Sequence, residues 1–325
     1  MNALQTESLA KTAAQQEITE ELYGRFIAYL DAKPKTIQTY TGALRQLMRY
    51  FALHGVTRPR REDILAFRDE LRNGHKPTTV QSYITAARLF FQWLDQEGIY
   101  PNVAGRIKGA KLDKEHKKDY LTSGQVRAVL DGIDRKSSHG MRDYAILAVM
   151  VTGGLRTAEV AQANIEDFRS ENGSGNNDAA LFIQGKGRDE RTEYVRLDPR
   201  VERALQAYLE TRSTAKQTDP LFVSTSNNSA GARLTTRSIS GIVKERLRDA
   251  GFDSDRLTAH SLRHTAVTLS LLAGKRLEEV QQFARHASVT TTQIYNHALD
   301  RAKNSCSEAI AEGIFNEQRI MNNEQ

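Results

Sequence analysis

Between Lys108 and Asp119 the chain reads KGAKLDKEHKKD. A stretch so charged and so poor in apolar residues repels itself and has no face to bury, which suits an exposed linker. It therefore divides the 325-residue chain into parts that must fold on separate cores, and each part is long enough to do so. The expected organisation is a tail over 1–18, a helical domain over 19–107, a linker over 108–119, a second domain over 120–301 and a C-terminal segment over 302–325.

In the first part, apolar residues recur at spacings of three and four. Leu22, Phe26, Ile27 and Leu30 share one helical face, and Pro34 ends that segment. Thr36 is placed to cap a second helix carrying Ile37, Tyr40, Leu44, Leu47, Met48 and Phe51. A short helix runs from Asp63 to Leu71 and a long one from Thr78 to Leu94, with breaks at Gly55, Pro59, Gly74 and Pro77. Four helices on short loops make a compact bundle, and no strand-like alternation interrupts them.

The second part opens with Thr122 and Gln125, spaced as a capping box. Met141 to Val151 is an apolar helix that Gly153 and Gly154 stop. Ala180 to Gln184 and Glu193 to Leu197 are β-like runs, and GKGRDE between them suits a hairpin. After Asp198 the pattern is helical to the end. The fold class is mostly α (α+β), with a small antiparallel sheet in the second domain.

Residues 1–118 hold 19 Lys and Arg against 13 Asp and Glu, whereas residues 119–325 hold 27 of each. The excess suits a polyanion partner, since each neutralised phosphate releases counterions; charge alone leaves an ordinary basic protein open as well. No apolar run reaches bilayer length, and the first residues lack the apolar core of a secretory signal. The single cysteine, Cys306, can form neither an internal disulfide nor a zinc cage. These points favour a cytoplasmic protein with no membrane partner.

Four local patterns carry chemistry. TGGLRTAEV sets Arg156 after two glycines at a helix start, where backbone and dipole favour an anion. HSLRHT sets His260 and Arg263 on one helical face, with His264 expected to point away from it as a structural residue. ARHASVTTTQIYNH sets His286 nine residues before Tyr295, and GKGRDER sets Lys186 at the hairpin tip, with Arg188 and Arg191 close by. Taken singly, each has an ordinary structural reading: a surface arginine, a solvated turn lysine, a core histidine, a tyrosine with a wet hydroxyl. Their joint occurrence is what points to a site. On the first part, Arg45, Arg49, Lys76, Arg88 and Arg106 are candidates for phosphate contacts, or else a solvated face.

In the order Arg, Lys, His-x-x-Arg, His, Tyr, the chain resembles the tyrosine recombinases, including Xer proteins and phage and transposon integrases. The resemblance covers nearly the whole chain, and the basic first part, with KPTTVQSYITAARLFFQWL, looks like that family's SAM-like core-binding domain. It implies a catalytic set of Arg156, Lys186, His260, Arg263, His286 and the nucleophile Tyr295, with Glu159 supporting Arg156. Tyr295 would form a 3′-phosphotyrosyl link and release a 5′-hydroxyl. The two arginines would hold the non-bridging oxygens and Lys186 would protonate the leaving oxygen. His260 would assist proton transfer from the tyrosine, and His286 would donate a hydrogen bond to the phosphate. Neither metal nor other cofactor is implied.

The resemblance also implies a DNA clamp of two domains and exchange between specific sites through a Holliday junction. The assembly implied is a homotetramer joined through the C-terminal segment, where Ala309, Ile310, Ile314 and Phe315 leave an apolar end. A directionality factor would be a further partner, and a mobile element or Xer-like resolution the setting. Two features depart from the pattern: Arg285 stands where the family usually has glycine, and Asn102-Val103 stands for Asn-Pro. Too few residues precede Thr19 for an arm-binding domain, which suits a simple Xer-like or short transposon layout. The rival activities are DNA relaxation of the type IB topoisomerase kind, whose enzymes usually carry lysine in place of His260, and DNA binding without catalysis.

Overall fold

A computed structural model describes residues 17–111, 119–170, 178–185, 191–286, 288–302 and 310–311, with the backbone alone for 296–302. The chain forms two compact units, 1–114 and 115–325. The tail over 1–16, most of the charged stretch, Lys186, Arg188 and nearly all of the C-terminal segment lie outside the described residues.

The first unit is a bundle of four helices: α1 (Glu20–Tyr29), α2 (Pro34–Leu53), α3 (Arg61–Gly74) and α4 (Pro77–Gln96). Thr19 caps α1 by accepting the Leu22 N–H. The cap of α2 differs from the sequence expectation. Pro34 occupies the first turn with Lys33 as N-cap, so Thr36 lies inside the helix. A proline that stops one helix is pre-organised to open the next, because its fixed φ suits the first position and its missing N–H is not needed there. Pro77 does the same for α4. Leu22, Phe26, Leu44, Leu47, Ile64, Phe67, Val80, Ile84, Phe90 and Phe91 fill the core. Phe26 meets Phe90 edge to face at 5.4 Å, and Trp93 joins them, so these aromatics pack rather than offer a stacking platform.

The charged stretch begins with residues laid against this unit. Arg68 donates to the Lys108 carbonyl at 3.4 Å and Arg72 to that of Gly109 at 3.4 Å. Backbone carbonyls, not side chains, hold these residues, which is why composition alone places them in the linker.

The second unit contains α5 (Ser123–Asp131), α6 (Ser138–Gly153), α7 (Thr157–Gln162), β1 (Phe168–Ser170), β2 (Ala179–Ile183) and β3 (Glu193–Arg196). After the sheet come α8 (Pro199–Glu210), α9 (Thr236–Asp249), α10 (Ala259–Leu272), α11 (Leu277–Ala284) and α12 (Val289–Ala302). The capping box at Thr122 and Gln125 forms with both hydrogen bonds. Helix α6 is buried on nearly every side and packs against α8, α9 and α10. It carries Asp143 into the interior, where Arg142, Arg246 and His139 surround the carboxylate. A buried charge is tolerated only with such partners.

The sheet is antiparallel in the order β1-β2-β3, with Leu181 opposite both Phe168 and Val195. The edge strand β1 was not legible in the sequence, being three residues long.

Candidate active site

The site starts at a glycine. Gly154 ends α6 at φ +57, and a Cβ there would lie 3.1 Å from Phe283. Both the left-handed backbone and the close approach of α11 therefore require it. The chain reverses through Gly154, buries Leu155 and delivers Arg156 to the start of α7. There Glu159, nearly fully buried, holds Arg156 twice: one oxygen accepts the Arg156 backbone N–H at 2.8 Å, the other its guanidinium at 2.6 Å.

Arg263 rises from the interior of α10 and is only 2% exposed. Its guanidinium donates to the Gly154 carbonyl at 2.6 Å and to the Ala284 carbonyl. Burial, with Arg156 and Arg285 adding repulsion, pulls its pKa down to about 10, so it remains charged at neutral pH.

Tyr295 lies on α12 against Val267, Val280 and Ala284. Burial pushes its hydroxyl up to about 12, and Arg263 pulls in the opposite direction. A phenol held this firmly protonated needs a base or a developing phosphate charge to become a nucleophile.

Three histidines line this tyrosine's surroundings. His260, exposed at the second position of α10, has its ring 4.7 Å from that of His264. His264 in turn lies 5.0 Å from the Tyr295 ring. This corrects the expectation that His264 points away: residues four apart share a helical face as well as residues three apart do. The His286 ring is stacked toward Tyr295 at 6.2 Å, and its Nδ1 is 2.9 Å from the Thr292 hydroxyl. Burial foremost, then Arg263, Arg156, Arg285 and His260, push the His286 pKa down to about 4, so the ring is neutral at pH 7.

The structure thus brings Arg156, Glu159, His260, Arg263, His286 and Tyr295 together from α7, α10, α12 and the turn after α11. Lys186 lies outside the described residues. Of the other cations at that hairpin, Arg191 is engaged by Asp167 and the Gln162 carbonyl. In the first unit Arg45, Arg49, Lys76, Arg88 and Arg106 are all exposed. Arg88 lines a cleft of about 640 Å³ with Arg68, Arg72, Lys108 and Lys111, four cations that sequence spacing did not single out. Arg49 lines a separate, smaller hollow beside Tyr50 and Glu70.

Residues 119–302 match the model of the phage integrase family, and residues 24–98 match its N-terminal SAM-like domain. The chain belongs to the phage integrase family. It is a tyrosine recombinase of Xer-like type, an enzyme that cuts and rejoins DNA strands. The chain is 30% identical over 275 residues to the tyrosine recombinase XerC of Pelobacter propionicus, covering 82% of this chain and 86% of that one. It is 28% identical over 315 residues to XerC of Chlamydia caviae, covering 87% and 97%. Among solved structures it is similar to the XerH site-specific recombinase bound to its difH substrate before cleavage. That likeness has 25% identity and a TM-score of 0.64, over 82% of this chain and 79% of that one. These similarities do not favour the topoisomerase alternative.

Proposed function

We propose that this recombinase exchanges strands between two specific duplex DNA sites, with Tyr295 as the nucleophile. The observation that carries the reading is the meeting of Arg156, Arg263 and Tyr295, up to 139 residues apart in sequence, on one carbonyl-lined frame. Two guanidinium forks suit the non-bridging oxygens of a phosphate and stay charged throughout. The Tyr295 oxygen forms a bond to phosphorus as the bond to the 5′ oxygen breaks. His260 assists removal of the tyrosine proton, Lys186 supplies a proton to the leaving 5′ oxygen, and neutral His286 donates a hydrogen bond to the phosphate. Glu159 keeps Arg156 in place. Reversal by a 5′-hydroxyl from the partner site rejoins the strand, so the phosphoester energy is conserved and no cofactor is consumed.

The wider setting follows the same reading. Arg45, Arg49, Lys76, Arg88 and Arg106 serve backbone phosphates. Four copies assemble on paired sites through the C-terminal segment, of which Ile310 is 61% exposed. The enzyme works in the cytoplasm on the nucleoid, for a mobile element, with a directionality factor as a further partner.

The test is covalent trapping on a site nicked beside the cleavage point. Wild-type enzyme should yield a denaturation-resistant DNA adduct, and Tyr295→Phe should yield none. An adduct that persists in Tyr295→Phe would remove Tyr295 from the mechanism. Tight binding with no adduct from the wild type would favour the binding-only alternative.

A further inference from the structure

Arg285 is held in a conformation that arginine rarely adopts. Its φ is +53, and the only other described non-glycine residue at positive φ is Arg106. A side chain with a Cβ costs about 1–2 kcal/mol there, which glycine avoids. Something at this position must offset that cost, and the surroundings of the guanidinium show what it is.

The Arg285 side chain is 9% exposed. It donates to the carbonyls of Phe283 at 2.8 Å, Gly154 at 3.1 Å and Gly153 at 3.4 Å, and to Glu159 Oε2 at 3.2 Å. It therefore ties the glycine turn after α6 to the turn after α11. The same two turns supply the frame for both other arginines. Arg156 donates to the Arg285 carbonyl at 3.3 Å, and Arg263 donates to the carbonyls of Gly154 and Ala284. His286 follows directly, its N–H bound to the Gln281 carbonyl.

Arg285 also changes the electrostatics of Glu159. One carboxylate oxygen pairs with the Arg156 guanidinium; the other is shared between the Arg156 N–H and Arg285. A carboxylate facing one arginine would largely neutralise it. Facing two, it leaves net positive charge in the site, where a phosphorane would gather negative charge.

We propose that Arg285 is a positioning residue for DNA cleavage, a clasp that sets the spacing of Arg156, Arg263 and His286 and keeps Arg156 from being neutralised by Glu159. The inference rests on the reading of Arg156 and Arg263 as the phosphate-holding pair. Arg285 touches no reacting atom; it acts through the groups it holds. A displacement of about 1 Å in such groups can cost about 100-fold in rate.

The experiment compares wild type, Arg285→Gly, Arg285→Lys and Tyr295→Phe in single-turnover cleavage of the nicked site, with DNA affinity and thermal melting measured alongside. Glycine suits the backbone, so Arg285→Gly should stay folded, bind DNA within about threefold of wild type and cleave about 10–100-fold more slowly. Lysine keeps the charge but not the fork, and should recover part of the rate. The low-pH limb of the Arg285→Gly rate profile should move upward, because one of the charges facing His286 is gone. Arg263, Arg156 and His260 still face that ring, with Thr292 and Tyr295 beside it, so the movement should be partial. Wild-type cleavage by Arg285→Gly with an unmoved profile overturns the inference. So does a loss of cleavage that merely tracks a loss of binding. If Arg285→Gly does not fold, Arg285→Lys decides by rate and affinity alone, since it keeps the charge that faces His286: cleavage at the wild-type rate, or a loss that merely tracks a loss of binding, overturns the inference. An adduct from Tyr295→Phe would instead overturn the underlying reading and leave the clasp a structural feature only.

Discussion

The two units use positive charge in opposite ways. In the first, Arg68, Arg72, Arg88, Lys108 and Lys111 line an open cleft, and the only carboxylate hydrogen-bonded to any of them among the described residues is that of Asp69. In the second, Arg156, Arg263 and Arg285 are half-buried to buried; Arg156 and Arg285 share the Glu159 carboxylate, and all three donate to backbone carbonyls. An exposed cation is screened by salt and costs little to keep charged, so it contributes affinity and can be exchanged for a neighbour. A buried one is costly to hold unless it is paired and hydrogen-bonded. It contributes geometry, and its neighbours depend on it. The first pattern suits holding a long polyanion anywhere along its backbone; the second suits a single phosphate in one orientation.

The sharpest way to break this comparison is to keep charge and remove shape in the buried cluster. Arg263→Lys retains the cation but cannot reach the carbonyls of both Gly154 and Ala284 with a planar fork. Cleavage should fall by roughly 100–1,000-fold, on the order of removing one preorganised donor from a transition-state site. DNA affinity should change by no more than about threefold, since a single phosphate among many is gripped differently. Equal losses in rate and affinity would mean that the buried cluster works as a binding surface, like the cleft.

The converse experiment removes charge from the cleft and leaves its shape. Arg88, Lys108 and Lys111 are exposed, whereas Arg68 and Arg72 hold the Lys108 and Gly109 carbonyls and should be spared. Replacing the first three with alanine should weaken DNA binding by about tenfold. The plot of log affinity against log salt should flatten by about one unit for each phosphate no longer neutralised. The rate of cleavage on saturated substrate should hold. An unchanged salt slope would show that this cleft does not carry the phosphates.

How much of this was legible beforehand differs between the same two regions. The buried cluster could be read because helical spacing brings residues three or four apart together, and because glycines mark where a backbone must turn. Those two rules suffice for Arg156 after Gly154, for His260 with Arg263, and for the capping box at Thr122. They should also have placed His264 in the site, since it stands four residues after His260. The role of Arg285 could not be read. Its departure from the usual glycine was visible, but its partners lie on α7 and on the turn after α6, more than 120 residues earlier.

The cleft was the less legible region. Arg68 and Arg72 lie on α3, Arg88 on α4, and Lys108 and Lys111 in a stretch whose composition reads as linker. Main-chain carbonyls tie that stretch to α3, and a carbonyl has no letter in a sequence. The three-residue strand β1 escaped for a related reason: its ladder to β2 is made by backbone, and alternation over three residues carries no signal.

The smallest effect that separates the two regions is a proton. His286 has a pKa near 4 in the folded protein and an ordinary value of about 6.5 in the unfolded chain. Its neutral form is the native one, so the unfolded chain binds the extra proton. The stability that this ring contributes is fully present above pH ~6.5 and is lost as pH falls toward ~4. A phosphate held by Arg156 and Arg263 reverses part of that penalty, because an anion favours the imidazolium. Binding to DNA should therefore take up a fraction of a proton and tighten a few-fold more, from pH ~7 to ~5, in the wild type than in His286→Gln. Replacing Arg88, Lys108 and Lys111 in the cleft should leave this pH dependence unchanged. Calorimetry in two buffers of different ionisation heat would read the proton directly. A wild type and His286→Gln with the same uptake would show that the phosphate does not come within reach of His286, and would confine the site to the arginine side of Tyr295.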